Sequence, residues 1–247
     1  MVIPAYRESE RLPPFLGELC RQIESAGLPV RVRPVDDGSG KEEADRLRAV
    51  GEELREKFEV LDEPVFLDPN QGKGGAVYSG WDSAKQGEFA WFAFVDADGA
   101  VSPEETVRVL SELTPPAEGL RECIFAVRVR DEGHEVRRTP LRKFLGKIFR
   151  LLVRIIFRLP CRDTQCGLKC VPAEAYFEVR HLLEERRFAF DVELASRLVR
   201  AGCSIREIPI SWEESPGTRL RFRSALQMLT ALFAMRWRLF TKRGPKG

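Results

Sequence analysis

Histidine is almost missing from this 247-residue chain. Only His134 and His181 occur, and none of the six cysteines forms a CxxC pair. That argues against a zinc centre, and the disulfide framework of a small secreted domain does not suit a chain of this length. Free thiols in a reducing compartment are expected. Long apolar runs are missing too: no stretch reaches the ~18–20 residues that span a bilayer. No charged-then-apolar leader precedes the first apolar segment at Met1, so a cytoplasmic location is expected. Internal repeats and low-complexity segments are absent, and no GxxxxGK[ST] spacing exists, which removes a P-loop ATPase. The formal net charge is only +2 and names no partner. Acid, however, is absent locally: Arg137 to Arg158 contains no Asp or Glu and is dense in Arg and Lys.

With 43% hydrophobic and 32% charged residues, the chain has the composition of a folded globular protein. Short apolar runs alternate with longer amphipathic ones. Strands are expected at Met1–Pro4, Val30–Val35, Val65–Leu67, Phe89–Val95 and Ile124–Val129. Helices are expected at Leu12–Ala26, Glu42–Phe58, Gly74–Gln86 and Pro103–Leu113, the last capped by Ser102. This order predicts an α/β fold, a mainly parallel sheet with helices on both faces. The tail from Lys242 is expected to fray.

Three polar clusters fall just past expected strand ends: Tyr6–Glu8, Asp36–Ser39 and Asp96–Gly99. Open parallel sheets bind ligands at that edge. On an extended segment Asp96 and Asp98 share a side, and two hard oxygen ligands suit Mg²⁺ or Mn²⁺ bridging a pyrophosphate. A helix cap or an Asp-Gly turn would explain the same residues without a ligand. Asp37 could accept from a base N–H or a ribose hydroxyl, or simply cap the next helix. The Gly-rich turn Asn70–Ala76 permits close backbone approach and could aim Lys73 at a phosphate, or it could be a structural helix start.

Taken together, Pro4-Ala5-Tyr6 with Glu8, Asp36-Asp37-Gly38-Ser39, Gly72-Lys73-Gly74 and Asp96-Ala97-Asp98-Gly99 resemble the family 2 glycosyltransferases of GT-A fold. Arg162–Lys169 (RDTQCGLK), Phe188–Leu194 (FAFDVEL), Ile208–Trp212 and Gly217–Leu220 resemble the dolichyl-phosphate β-glucosyltransferases and related polyprenyl-phosphate glycosyltransferases. The likeness covers nearly the whole chain, and the RDTQCG and FAFDVEL segments are its most specific part. It implies that Pro4, Ala5, Tyr6, Glu8, Asp37, Lys73, Asp96 and Ala97 line the nucleotide pocket. Asp96 and Asp98 would hold the divalent metal, Mg²⁺ or Mn²⁺. Arg128, Arg142 and Arg219 would hold the acceptor phosphate. Asp98, Asp163 and Gln165 would serve the reaction, the last two facing sugar or acceptor. Ala100 stands where mannosyl relatives often carry Gln, which favours glucose. Neither histidine matches the C-terminal metal ligand of many GT-A enzymes. Eukaryotic relatives begin with a membrane-spanning helix that this sequence lacks, which points to a bacterial or archaeal version or a shortened chain.

The implied reaction moves glucose from UDP-glucose to a polyprenyl or dolichyl phosphate with inversion. No unambiguous general base is visible, and a phosphate acceptor needs none, because its second pKa of ~6 leaves it largely dianionic at neutral pH. Thr139–Leu159 reads as a helix with a basic stripe (Lys143, Lys147, Arg150, Arg154, Arg158) among apolar residues, the pattern of an in-plane membrane anchor; a core helix with a solvated face is the plainer reading. Leu220–Phe240 is similar. The expected partners are a nucleotide-diphosphate sugar, a lipid phosphate and the cytoplasmic face of a membrane, to which the protein would bind peripherally. Nucleic acid is not expected, because strand-end aspartates repel phosphate unless metal intervenes. The expected parts are 1–136 for nucleotide sugar and metal, 137–160 for the basic helix, 161–217 for the acceptor side, and 218–247 for the C-terminal helix and tail. Three alternatives stay open: a family 2 transferase using GDP-mannose or a hydroxyl acceptor, a nucleotidyltransferase, and a non-catalytic basic binding protein.

Overall fold

The computed structural model describes residues 1–114, 121–128, 136–137, 140–213 and 230–238, with 136–137, 140–145 and 147 described by backbone alone. One sheet contains β1 (Val2–Ala5), β2 (Arg33–Asp36), β3 (Val65–Phe66), β4 (Trp91–Val95), β5 (Glu122–Val127), β7 (Leu168–Pro172) and β8 (Ser204–Pro209), in the order β3-β2-β1-β4-β7-β5-β8. A separate two-stranded ribbon pairs β6 (Val136–Arg137) with β9 (Trp212–Glu213). The helices are α1 (Leu12–Ser25), α2 (Lys41–Lys57), α3 (Lys73–Asp82), α4 (Pro103–Ser111), α5 (Pro140–Phe157), α6 (Ala173–Val179) and α7 (Phe190–Arg200), followed by a helical run at 230–238.

Strand alternation sorts side chains onto two faces. Phe92 and Phe94 of β4 and Phe125 of β5 point to the side covered by α3, α6 and α7, where they meet Trp81, Tyr176 and Phe190. Ala93, Val95 and Ile124 point to the side covered by α1 and α4, against Leu16, Leu19 and Val109. The aromatic side is locked by edge-to-face packing, with the Trp81 and Tyr176 rings 4.9 Å apart. Ser102 caps α4 as expected, its Oγ accepting from the Glu105 amide at 3.3 Å ahead of Pro103.

The sheet is parallel except for β7, which runs antiparallel to both β4 and β5. This inversion positions the site. Leu168 pairs with Val95 and Lys169 with both Phe94 and Phe125. The start of β7 therefore lies at the same edge as the ends of β4 and β5, and the RDTQCG loop opens beside Asp96 and Arg128.

β4 begins at Trp91 rather than Phe89, and β5 spans Glu122–Val127 rather than Ile124–Val129; two further boundaries differ from expectation for local reasons. β2 begins at Arg33, because the Val30 amide turns back to the Leu28 carbonyl at 2.8 Å, and it extends to Asp36 through its register with Ala5. α3 ends at Asp82, well before Gln86. Ser83 Oγ donates to the Gly80 carbonyl at 2.7 Å, and Tyr176 and Arg180 draw Asp82 away to α6.

Candidate active site

The first wall is built where β1 and β2 end. Pro4 and Ala5 close β1, and the Ala5 carbonyl accepts the Asp37 amide at 2.8 Å. Arg7 takes a left-handed backbone (φ 57°), sparsely populated for a residue with a side chain. Its amide donates to Ser39 Oγ at 2.8 Å, which in turn donates to Asp36. Tyr6 is 45% exposed on the rim. Glu8 is gripped by the Arg11 guanidinium at 2.7 and 2.5 Å.

Asp37 is 4% exposed and holds the Gly-rich turn from this side. It accepts the Gln71 amide at 2.6 Å, the Gly72 amide at 2.8 Å and Asn70 Nδ2 at 2.8 Å. Burial raises its pKa, and the backbone donors offset part of that rise. Two carboxylate oxygens offer about four acceptor positions, so the latch leaves capacity for one further donor.

A string of alternating charges crosses the centre. Lys169 Nζ lies 2.7 Å from Asp191 Oδ1, Asp191 Oδ2 lies 4.0 Å from Lys73 Nζ, and Lys73 Nζ lies 2.7 Å from Asp96 Oδ1. Phe94 sits between the two ammonium groups, at 5.1 Å from Lys73 and 5.2 Å from Lys169. Burial by itself would lower the Lys73 pKa, but the pull of Asp96 and Asp191 leaves it raised, so the ammonium stays charged. Asp98 lies one alternation beyond Asp96, its Oδ1 accepting the Ala100 amide at 3.1 Å, while Ala97 is buried between them. Burial, then the charge of Asp96, raise the Asp98 pKa.

On the far side, Arg128 follows β5 and makes a two-pronged pair with Asp163, Nε to Oδ2 at 2.7 Å and NH2 to Oδ1 at 2.9 Å. Trp212 backs the guanidinium at 5.4 Å. The Gln165 amide also donates to Asp163, at 3.1 Å. Two neighbouring polar atoms, Thr164 Oγ1 and Gln165 Nε2, are buried without a hydrogen-bond partner among the described residues. Arg142 is described only by its backbone in α5, and Arg219 lies outside the described residues.

One edge of the sheet thus gathers Ala5, Asp37, Lys73, Asp96, Asp98, Arg128, Asp163 and Gln165. Three contributors carried no expected role. Lys169 neutralises Asp191. Gly167 makes room for Asp96, since a Cβ there would stand 2.3 Å from Asp96 Oδ2. Arg186 backs the Gly-rich turn, its carbonyl accepting the Gly75 amide at 2.9 Å. The RDTQCG run marks Gly167 and Lys169, but nothing in their spacing says which carboxylate each serves.

Among the described residues no group of three or more His, Cys, Asp or Glu could hold a metal ion. Two carboxylates still fit Mg²⁺ or Mn²⁺, which commonly bind through one or two carboxylates plus substrate phosphates and water. In this structure the cation opposite Asp96 is the Lys73 ammonium, 2.7 Å away.

Paired aspartates at the strand-end edge of a seven-stranded, mostly parallel sheet define a nucleotide-sugar transferase fold of GT-A type. The profile of glycosyl transferase family 2 matches residues 1–169, and the chain belongs to that family: it is a glycosyltransferase. It is 33% identical over 251 residues to the dolichyl-phosphate beta-glucosyltransferase of Mus musculus, covering 98% of this chain and 75% of that one. It is 30% identical over 231 residues to the enzyme of the same name from Saccharomyces cerevisiae, covering 89% and 68%. Among solved structures it resembles the glucosyl-3-phosphoglycerate synthase of Mycobacterium tuberculosis in complex with Mn²⁺, uridine diphosphate and phosphoglyceric acid. That likeness has a TM-score of 0.68 at 15% identity and covers 95% of this chain and 77% of that one.

Proposed function

We propose that this chain transfers glucose from UDP-glucose to a dolichyl or other polyprenyl phosphate at the cytoplasmic face of a membrane, with inversion at the anomeric carbon. The names of the relatives support the acceptor and the sugar. The observation that carries the reading is Arg128. Two of its N–H groups are fixed on Asp163, so its plane is set, and among the described residues no acceptor takes the other three donors of the guanidinium, which would serve an incoming phosphate.

A hydroxyl acceptor would need a carboxylate base. Asp163 is paired with Arg128, Asp191 with Lys169, and Glu193 is fully buried beneath backbone amides. A lipid phosphate dianion needs no base. Its oxygen attacks the anomeric carbon in line, the bond from that carbon to the diphosphate oxygen breaks, and an α-linked donor gives a β-linked product. Asp96 and Asp98 would hold a divalent cation, which would offset charge on the leaving diphosphate. Asp37, Tyr6, Pro4, Ala5 and Glu8 would line the nucleotide side. Lys73 would give up its contact with Asp96 and turn to the diphosphate, and Arg142 and Arg219 would join Arg128 at the acceptor phosphate.

The test is transfer of radiolabelled glucose from UDP-glucose to a short polyprenyl phosphate, with Mn²⁺ or Mg²⁺ and again with a chelator, against GDP-mannose and a free glycan acceptor. Metal-dependent, organic-soluble product from UDP-glucose alone is expected. Product only with GDP-mannose would overturn the donor assignment, and product only with the glycan would overturn the acceptor.

Two helices support the membrane part. On α5, Ile148, Leu151 and Ile155 are exposed, the last two at 58% and 63%, with Arg154 exposed beside them, while Val153 is buried in the core. On residues 230–238, Phe233 and Trp237 are exposed while Leu232 and Met235 are buried. No helix among the described residues is long and apolar enough to cross a membrane. Exposed apolar stripes flanked by arginine suit in-plane binding to an anionic leaflet, at ~1 kcal/mol per cation. Arg150→Glu with Arg154→Glu should weaken sedimentation with phosphatidylserine vesicles by at least about thirtyfold, the loss of two cations before the repulsion of the new carboxylates is added. Unchanged partitioning would remove these helices from the membrane contact.

A further inference from the structure

The segment between Leu183 and α7 touches both the Gly-rich turn and the last described helix. Glu193 holds its backbone from within. The carboxylate is fully buried, and one oxygen, Oε2, accepts the Glu184 amide at 2.8 Å and the Glu185 amide at 2.6 Å. On the turn side, the Arg186 carbonyl accepts the Gly75 amide at 2.9 Å, one of the N–H groups that the start of α3 would otherwise leave unpaired. The Arg186 guanidinium donates to Gln71 Oε1. Contact is close enough that a Cβ on Gly72 would stand 2.6 Å from the Arg186 carbonyl oxygen, and one on Gly74 2.5 Å from Phe190 Cβ. On the opposite side, Arg238 reaches Glu184 at 3.3 Å and Glu185 at 3.9 Å.

We propose that residues 184–187 form a clasp through which the C-terminal helix positions the donor turn, with Arg238 and Glu193 as positioning residues for nucleotide binding. The inference rests on the reading of that turn as part of the nucleotide pocket. Glycines at 72, 74 and 75 give the turn little side-chain packing of its own and a large conformational freedom to lose. Asp37 pins it at Asn70, Gln71 and Gly72 from the β2 side, and the clasp pins it at Gln71 and Gly75 from the α7 side. Lys73 lies between these pins. With the clasp loosened, the nucleotide must order the turn as it binds, and the apparent affinity falls by the fraction of molecules already ordered. The side chain of Arg238 is about a quarter exposed, so its loss relaxes the clasp without opening the core.

UDP is titrated calorimetrically into the full chain with Mn²⁺, for wild type, Arg238→Ala and Arg238→Lys. The dissociation constant should rise about tenfold in Arg238→Ala and recover most of the way in Arg238→Lys. The thermal midpoint should stay within a few degrees of wild type. At saturating donor the turnover should stay within about twofold, because the reacting groups are untouched. An unchanged affinity in Arg238→Ala overturns the clasp. If wild type binds no UDP, the nucleotide reading fails separately. Amide exchange at Gly72–Ala76 then decides the clasp: faster exchange in Arg238→Ala upholds it, and equal exchange overturns it.

Discussion

Lys169→Met is expected to cost about 3–5 kcal/mol of folding stability, read as a lowered urea midpoint at an unchanged slope. Lys169 is 0% exposed and Asp191 2%, and they meet at 2.7 Å. Methionine fills most of the space of the lysine stem but leaves the Asp191 carboxylate buried, with only Lys73, at 4.0 Å, to oppose it among the described residues. Removing one partner of a buried pair costs far more than the pair contributes, because the other charge stays out of water. Two consequences separate this cause from lost packing. Adding Asp191→Asn should recover most of the loss, since the charge that needed Lys169 is gone. The defect should also depend on pH in a definite direction. Burial holds the Asp191 pKa above its ordinary value even in the wild type, where Lys169 and then Lys73 pull it back. Without Lys169 it rises further. A carboxyl whose folded pKa exceeds its unfolded one loses stability as pH climbs from the unfolded value to the folded one. The deficit should therefore be smallest in acid, widen through the raised pKa and stay level above it. A deficit independent of pH, or no recovery in the double variant, would assign the loss to packing.

Much of this architecture was legible because it rests on periodicity and punctuation. The apolar runs expected as strands at Phe89–Val95 and Ile124–Val129 became strands at Trp91–Val95 and Glu122–Val127, and Ser102-Pro103 began a helix, since these are local preferences. The edge where these clusters gather was legible because each aspartate cluster ends a strand. β7 was not among the expected strands, and its direction could not have been read either, because alternation is the same read either way and only pairing with two neighbours fixes it. The Gly-rich turn shows the same limit. Its glycines suggested close approach by a ligand, and what lies against them is the chain's own backbone at Arg186 and Phe190, more than a hundred residues away in sequence. Lys73 was expected at a phosphate and rests on Asp96. Asp163, expected at sugar or acceptor, is paired with Arg128. Arginine is so frequent here, in a chain with 40 Lys and Arg, that its spacing alone could not name the partner.

Gly167→Ala should lower kcat at least about a hundredfold while leaving the fold intact, nearly matching Asp96→Ala. Gly167 lies where the inverted strand β7 begins, directly over the carboxylate at the end of β4. Its carbonyl accepts the Asp96 amide at 2.9 Å, which fixes the backbones together. An added Cβ would sit 2.3 Å from Asp96 Oδ2 and 2.5 Å from its Cγ, well inside any contact that real Cβ atoms make. Because the backbones are tied, the side chain must give way, and a displacement near 1 Å is enough to cost about two orders of magnitude when a group must meet a reacting centre. Gly167 does not have the left-handed backbone seen at Gly72 or Gly99, so alanine adds no backbone strain, and the effect isolates the position of one carboxylate. The check is a comparison of three proteins, wild type, Gly167→Ala and Asp96→Ala, for transfer rate and for Mn²⁺ binding in the presence of UDP by electron paramagnetic resonance. If Gly167→Ala binds Mn²⁺ as wild type does and keeps most of its rate, Asp96 does not hold the metal from the position described, and the cation would have to be carried by Asp98 and the diphosphate. If both variants lose Mn²⁺ and rate together, the glycine of the RDTQCG segment is there for Asp96, and the most specific stretch of this sequence owes one of its residues to a carboxylate some seventy positions earlier.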